Sequence, residues 1–249
     1  MIKSAIQLYS IRDMMALDVF STLKTVAEAG YTGVEFAGYF GVSHKDMRAA
    51  LDEYGLVTAG THTGIDALSD ENIEATIEYN LAIGNENLVV PGLPREMTES
   101  PEAYKRTAEL FGKLGERLAK DKIMLYYHNH AHEFTPYGDG YLIDIFFENT
   151  CPETLRMQLD TYWAAYAGVD SVAVMKKYGT RCDLLHLKDM LPREDKRCTE
   201  LGRGIMPLND IIAQGKVNGV KWYIMEQEDF DIPEIESITV SAKFLRDNL

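Results

Sequence analysis

The segment Leu125-Tyr126-Tyr127-His128-Asn129-His130-Ala131-His132-Glu133-Phe134 sets an apolar run directly against imidazole, amide and carboxylate groups. The run Ile123 to Tyr127 is short, aliphatic and aromatic, and reads as a buried strand. Three of the chain's six histidines lie just beyond it. Upstream, Pro101 to Lys120 has the periodicity of a long amphipathic helix; downstream, Tyr141 to Glu148 reads as a shorter one. Strand, polar turn and helix make one unit, and the unit recurs along the chain.

Ile2 to Tyr9 is the first strand, and Val19, Leu23, Val26 and Ala27 follow at helical spacing up to Gly30, a C-cap signal. The second strand is Gly33 to Phe36, with a helix capped by Ser43 that runs through Tyr54 to Gly55. The third is Leu56 to Gly60, with a helix from Ser69 to Ile83; the fourth is Asn87 to Val90, ended by Pro91-Gly92. After the fifth strand, Leu155 to Leu159 is the sixth, with a helix from Val169 to Tyr178. Asp183 to Leu187 is the seventh, with a helix from Pro207 to Gln214, and Trp222 to Met225 the eighth, with a helix from Ile235 to Arg246.

Alternating strand and helix gives a parallel sheet, and eight units predict a closed (β/α)8 TIM barrel as a single domain over residues 1–249. The competing α/β fold, an open doubly wound sheet, should show a glycine-rich turn after its first strand. Ser10-Ile11-Arg12-Asp13 has no glycine.

The chain has 249 residues, 46% of them hydrophobic, enough for a large core. No apolar run approaches the ~18 residues of a membrane span. A formal charge of −14 without a long basic cluster argues against nucleic-acid partners. Cys151, Cys182 and Cys198 form no CxxC pair, and Met1 to Ile6 enters a strand pattern rather than a secretory signal, so the expected compartment is the cytoplasm.

In such a barrel the active site lies where the strands end. The polar residues there are Gln7 and Tyr9, Glu35, His62, Asn129 to Glu133, Asp160, His186 with Lys188 and Asp189, and Glu226. Each has a plain structural explanation alone: a turn cap, a satisfied core histidine, an ion pair. A barrel brings these strand ends together, so their repetition points to one site. Glu133, Asp160, His186 and Glu226 follow strands five to eight, and three carboxylates with one imidazole suit a divalent cation, Mn2+ first, with Mg2+, Co2+ or Zn2+ as alternatives.

The run Tyr127-His128-Asn129-His130 with Glu133-Phe134, then Gln158-Leu159-Asp160, Leu185-His186-Leu187-Lys188-Asp189, Leu201-Gly202-Arg203-Gly204 and Glu226 resembles the xylose isomerase-like TIM barrel superfamily. Within it the chain is similar to the sugar phosphate isomerase/epimerase group, which includes inosose dehydratases and ketose 3-epimerases. The resemblance covers the whole chain, and His-Leu-Lys-Asp with the later Gly-x-Gly and Glu is its most specific part. The intervals from Asp160 to His186 and on to Glu226 resemble the dehydratase branch. It implies a metal site of Glu133, Asp160, His186 and Glu226. In ketose epimerases of the group, two metal-bound glutamates act as acid and base on opposite faces of the substrate carbon.

This chain departs from that pattern twice. The group's first glutamate ends the fifth strand directly, where Tyr127-His128 stands here, and Glu133 comes later. The usual Gly-Glu-Gly is Gly202-Arg203-Gly204, so Arg203 either holds an anionic or polyhydroxyl substrate group or faces solvent.

The implied activity is a metal-dependent isomerase or epimerase of a keto-sugar or related polyol, acting by proton abstraction next to a carbonyl and a metal-stabilised enediolate. The alternative on the same scaffold is a lyase, a dehydratase or β-eliminating enzyme on a keto-inositol or 3-keto-glycoside. A sugar-binding barrel without catalysis is the reading from another class, and metal content discriminates it. Glu226 is the expected metal-bound acid/base, with Lys188, His128 and Glu133 as further catalytic candidates. Gln7, Glu35, His62, His130 and Arg203 are expected against substrate. The expected partner is a small carbohydrate, with no nucleic acid and no membrane, and the resemblance carries a homo-oligomer as a further expectation.

Overall fold

Eight parallel strands close into one ring: Lys3–Gln7, Gly33–Ala37, Val57–His62, Asn87–Val90, Met124–His128, Arg156–Asp160, Cys182–Leu187 and Trp222–Met225. The computed structural model describes residues 3–249; Ile2, assigned above to the first strand, lies outside them. Each strand pairs with the next, and the eighth closes on the first from Lys3↔Trp222 to Ile6↔Met225. That closure removes the open-sheet alternative.

Successive strand residues point to opposite faces, so each strand feeds two cores. Ala5, Ala59, Val89, Tyr126, Leu184, Trp222 and Ile224 fill the barrel interior. Residues of the other phase, such as Ile6, Leu88, Tyr127, Leu159 and Tyr223, pack beneath the helices. Toward the strand ends the interior turns polar: Gln7, Glu35, Gln158, Asp160 and His186 are completely buried there.

The outer ring comprises helices Val19–Ala29, His44–Tyr54, Ile73–Ala82, Pro101–Ala119, Leu142–Glu148, Ser171–Tyr178, Leu208–Asn218 and Glu234–Asn248. Their stops follow the expected chemistry: Gly30 and Gly55 take the left-handed C-cap conformation, and Ser43 caps the second helix.

Strands three, five and six run further than their apolar runs suggested. Parallel pairing continues through His62↔Val89, His128↔Gln158 and Asp160↔His186. The ladder uses backbone groups only, so a polar side chain does not end it. His62, His128, Asp160 and His186 therefore sit on the rigid sheet, and Glu226 is the first residue past strand eight.

Short helices Arg12–Leu17 and Thr161–Tyr166 and two antiparallel ribbons, Pro136–Tyr137 with Gly140–Tyr141 and Asp189–Met190 with Cys198–Thr199, were not expected. Thr161–Tyr166 starts directly from Asp160, whose Oδ1 accepts the Trp163 N–H at 2.9 Å. The three cysteines are free. Among the described residues no helix is long and apolar enough to cross a membrane.

Candidate active site and metal centre

Four side chains meet inside the mouth of the barrel: His128 of strand five, Asp160 of strand six, His186 of strand seven and Glu226 just after strand eight. One ligand-type atom from each lies within 4.8 Å of all the others, and all four residues are buried. His128 Nδ1 is 2.9 Å from Gln158 Oε1; because that oxygen can only accept, Nδ1 carries the hydrogen and Nε2 is left as a lone pair. Nε2 lies 3.9 Å from Asp160 Oδ2, which accepts no hydrogen bond. His186 Nε2 is 2.6 Å from Glu35 Oε2, and its Nδ1 is 3.1 Å from Glu226 Oε2. The Glu35 carboxylate behind His186 fixes the orientation of its ring, as outer partners of ligating histidines do.

A supporting layer lies beneath. Glu35 receives Gln7 Nε2 at 2.8 Å and Gln158 Nε2 at 2.5 Å, with His62 Nε2 at 3.2 Å. Gln158 Oε1 also accepts from His62 at 2.9 Å, so one amide ties strands two, three, five and six. The sheet makes room for Glu35. Pairing slips by one residue between Val34↔Thr58 and Glu35↔Gly60, and a Cβ on Gly60 would lie 2.6 Å from Glu35 Oε1.

Lys188 completes the group. Its Nζ lies 2.8 Å from Glu226 Oε2, 3.3 Å from Asp160 Oδ2 and 2.6 Å from Glu228 Oε1, and the residue is 1% exposed. Burial pulls the ammonium's pKa down, but the three carboxylates outweigh it and hold it well above the ordinary value. Burial would raise Glu226, yet Lys188 and His186 keep it well below the carboxylate range. Burial raises Asp160, with Lys188 opposing. Burial and the neighbouring imidazoles push His128 far down, so it stays neutral, the form that binds metal. His186 goes the other way: burial opposes its charge, but Glu35 and Glu226 hold its pKa up at about 10, so a bound cation would have to take the place of the Nδ1 proton that faces Glu226.

The cluster opens into a cavity of about 520 Å³ lined by residues including Tyr9, His62, His128, His130, Trp163, Glu226 and Glu228. Two imidazoles and two carboxylates, with Asp160 Oδ2 accepting no hydrogen bond and met only by the Lys188 ammonium at 3.3 Å, make a donor set that fits a divalent cation.

The family model for the xylose isomerase-like TIM barrel matches residues 23–248. The chain belongs to that family. It is 25% identical over 189 residues to an inosose dehydratase of Geobacillus kaustophilus, covering 68% of this chain and 61% of that protein, so the chain spans less than two thirds of that curated relative. A crystal structure of a sugar phosphate isomerase/epimerase from Parabacteroides distasonis is 28% identical, with a TM-score of 0.82, covering 98% of this chain and 93% of the other. The crystal structure of the IOLI protein with a bound zinc atom shares the fold: TM-score 0.76 at 13% identity, covering 99% of this chain and 97% of that one.

In this xylose isomerase-like barrel, Asp160, His186 and Glu226 come together as expected, and Glu133 does not join them. Glu133 Oε1 accepts from the Tyr127 hydroxyl at 2.7 Å and Oε2 from the His130 N–H at 2.8 Å. The reason is strand parity: Tyr127 faces the helices, and Glu133 turns back to it, whereas His128 shares the inward phase of Tyr126. His128 thus stands as the fourth ligand-type side chain.

Gln7 and Glu35 were expected against substrate, but both are wholly buried under the cluster and bonded to each other. His62 and His130 line the cavity. Arg203 is half-exposed and pairs with Glu200 at 3.4 Å. Its glycine neighbours serve Asp189, whose carboxylate accepts the N–H groups of Met190, Gly202, Gly204 and Met206 at 2.9–3.0 Å. Sequence reading missed Gln158, Trp163 and Glu228. Gln158 stands two residues before Asp160 on the same strand, so the two-residue period was a usable signal there. Nothing in the sequence singled out Trp163.

Proposed function

We propose that this barrel is a divalent-metal-dependent isomerase or epimerase acting on a keto-sugar or related polyol. The observation that carries the reading is a buried His128–Asp160–His186–Glu226 group opening into a cavity walled by carboxylates and imidazoles. Those four residues would hold the ion, and two imidazoles in the set favour Mn2+, Co2+ or Zn2+ over Mg2+. When bound, the cation supplies Lewis-acid polarisation of a substrate carbonyl.

The chain's own groups handle the proton. Glu226, kept ionised by Lys188 and His186, takes it from the carbon next to the carbonyl. Lys188 positions Glu226 and Glu228 through short ion pairs. A second proton reaches the carbon from His62 in its imidazolium form, on the wall formed by strand three, and Glu226 releases the one it took to solvent. Tyr9 and Trp163 offer ring faces to the substrate and exclude water.

The second reading is a lyase on a keto-inositol or 3-keto-glycoside, favoured by the 25% identity to an inosose dehydratase. Both reactions start with the same proton abstraction. The test is incubation with a panel of ketoses and keto-glycosides in D₂O with Mn2+. Deuterium uptake with an isomerised or epimerised product supports the first reading. Uptake with an unsaturated product and loss of water or alcohol moves the assignment to the second. No exchange with any member of the panel overturns both.

A further inference from the structure

We infer that the substrate carries a second, uncharged ring, a sugar or an aglycone of similar size, bound in its own lobe of the cleft. This rests on the keto-sugar reading of the His128–Glu226 site. Beside the cavity over that site lies another of about 510 Å³, lined by Tyr39, Thr63, Asp66, Asn72 and Tyr79. Both lobes lie at the strand C-terminal ends and share His62, and Ala37 of one adjoins Gly38 of the other. Each is within the ~300–1,000 Å³ typical of small-ligand sites, so a single keto-sugar in the first leaves the second free.

The second lobe has the chemistry of a sugar subsite. Tyr39 and Tyr79 stack with centroids 3.8 Å apart and planes at 21°, giving an aromatic wall for the C–H face of a ring. The Tyr79 hydroxyl donates to the Val42 carbonyl at 2.9 Å, so the wall is fixed before ligand arrives. Asp66 lines the same lobe, and among the described residues its exposed carboxylate makes no hydrogen bond or ion pair. Asn72 is held nearby by its Nδ2 donating to the Asp66 carbonyl at 3.0 Å. A carboxylate and an amide over an aromatic face suit ring hydroxyls.

Neither lobe is lined by an arginine or lysine among the described residues, while Asp66, Glu226 and Glu228 face into them. A phosphate would meet carboxylates without a cationic fork to hold it, so the ligand is neutral.

The test compares a keto-disaccharide with the methyl glycoside of the same reacting ring, by initial rate of α-proton exchange in D₂O. The wild-type kcat/KM for the disaccharide should be about tenfold or more the higher. Ala75→Trp, an exposed helix position that lines only the second lobe, and Asp66→Ala should remove that preference and leave the methyl glycoside unchanged. Equal handling of the two, equal slowing by both variants, or preferred turnover of a phosphorylated keto-sugar overturns the inference. Saturation-transfer NMR with cellobiose provides an arm independent of turnover. Contacts to both rings are expected, with those of one ring lost in Ala75→Trp. If nothing in the panel exchanges, the keto-sugar chemistry fails; cellobiose contacted through one ring or none then overturns the second lobe separately.

Discussion

His128 Nε2 and Asp160 Oδ2 face each other across 3.9 Å inside the barrel, with no hydrogen bond between them. The histidine's hydrogen is on the other nitrogen, donated to Gln158, so a lone pair meets a carboxylate oxygen. The Lys188 ammonium, 3.3 Å from Oδ2, answers the carboxylate, and a metal cation would answer both groups. Losing an outer partner of a metal site typically costs ~10–100-fold in affinity. His128→Ala, Asp160→Ala and His186→Ala should each weaken Mn2+ or Zn2+ binding by at least that much in a metal titration. Glu133→Gln should leave stoichiometry and affinity unchanged. Equal loss in the Glu133 and His128 variants would return the fourth ligand to Glu133.

Glu226→Gln separates holding the ion from moving the proton. Positioned acid/base groups typically contribute ~10²–10⁴-fold to rate. With metal occupancy restored and measured, the variant should lose α-proton exchange by about that factor. Near wild-type exchange would move the base to His128 or Lys188.

Gly60 tests whether the layer below the ligands matters. A methyl group there would lie 2.6 Å from Glu35 Oε1, so Gly60→Ala must displace the carboxylate that orients His186. Metal affinity should fall ~10–100-fold. Glu35→Gln should do the same without the steric change. A Gly60→Ala protein that binds metal as the wild type does would show that the sheet, not Glu35, positions His186.

The barrel was legible because its signal is repetitive: each strand is an apolar run and each helix closes on a capping residue. Asp160, His186 and Glu226 were legible for the same reason, as polar residues recurring at strand ends. Glu133 looks like a ligand by residue type, but it sits on a 3-10 turn past the strand, and its carboxylate is taken up by the Tyr127 hydroxyl and the His130 N–H outside the cluster. Glu35 and Gln7 have the right phase but the wrong depth, and depth depends on how eight strands stagger around the ring. Trp163 is set by a helix that Asp160 itself caps, a second role invisible while Asp160 is read only as a ligand.

Asp144 governs stability away from the site. Burial opposes its charge, but Lys177 at 2.7 Å, the Tyr178 hydroxyl and the Tyr141 N–H hold its carboxyl below the ordinary value. A depressed carboxyl contributes stability in full above its unfolded value of about 3.9, and that stability is lost as pH falls through the lower folded value. Asp144→Asn should therefore be less stable than wild type by ~1–3 kcal/mol at neutral pH, from lost charge-assisted bonds. In urea unfolding the gap should close under acid, below about pH 4. A gap independent of pH would show that the ion pair is not its source.

Asp189 grips the segment that follows it only through main-chain N–H groups, those of Met190, Gly202, Gly204 and Met206. Such a clasp is blind to side-chain identity at the positions between. Arg203 and Ile205, both well exposed, can be exchanged in the course of descent without altering the path of the chain around them. The loop is thereby a place where a lineage can try new surface chemistry at the end of strand seven while the strand that carries His186 stays in register.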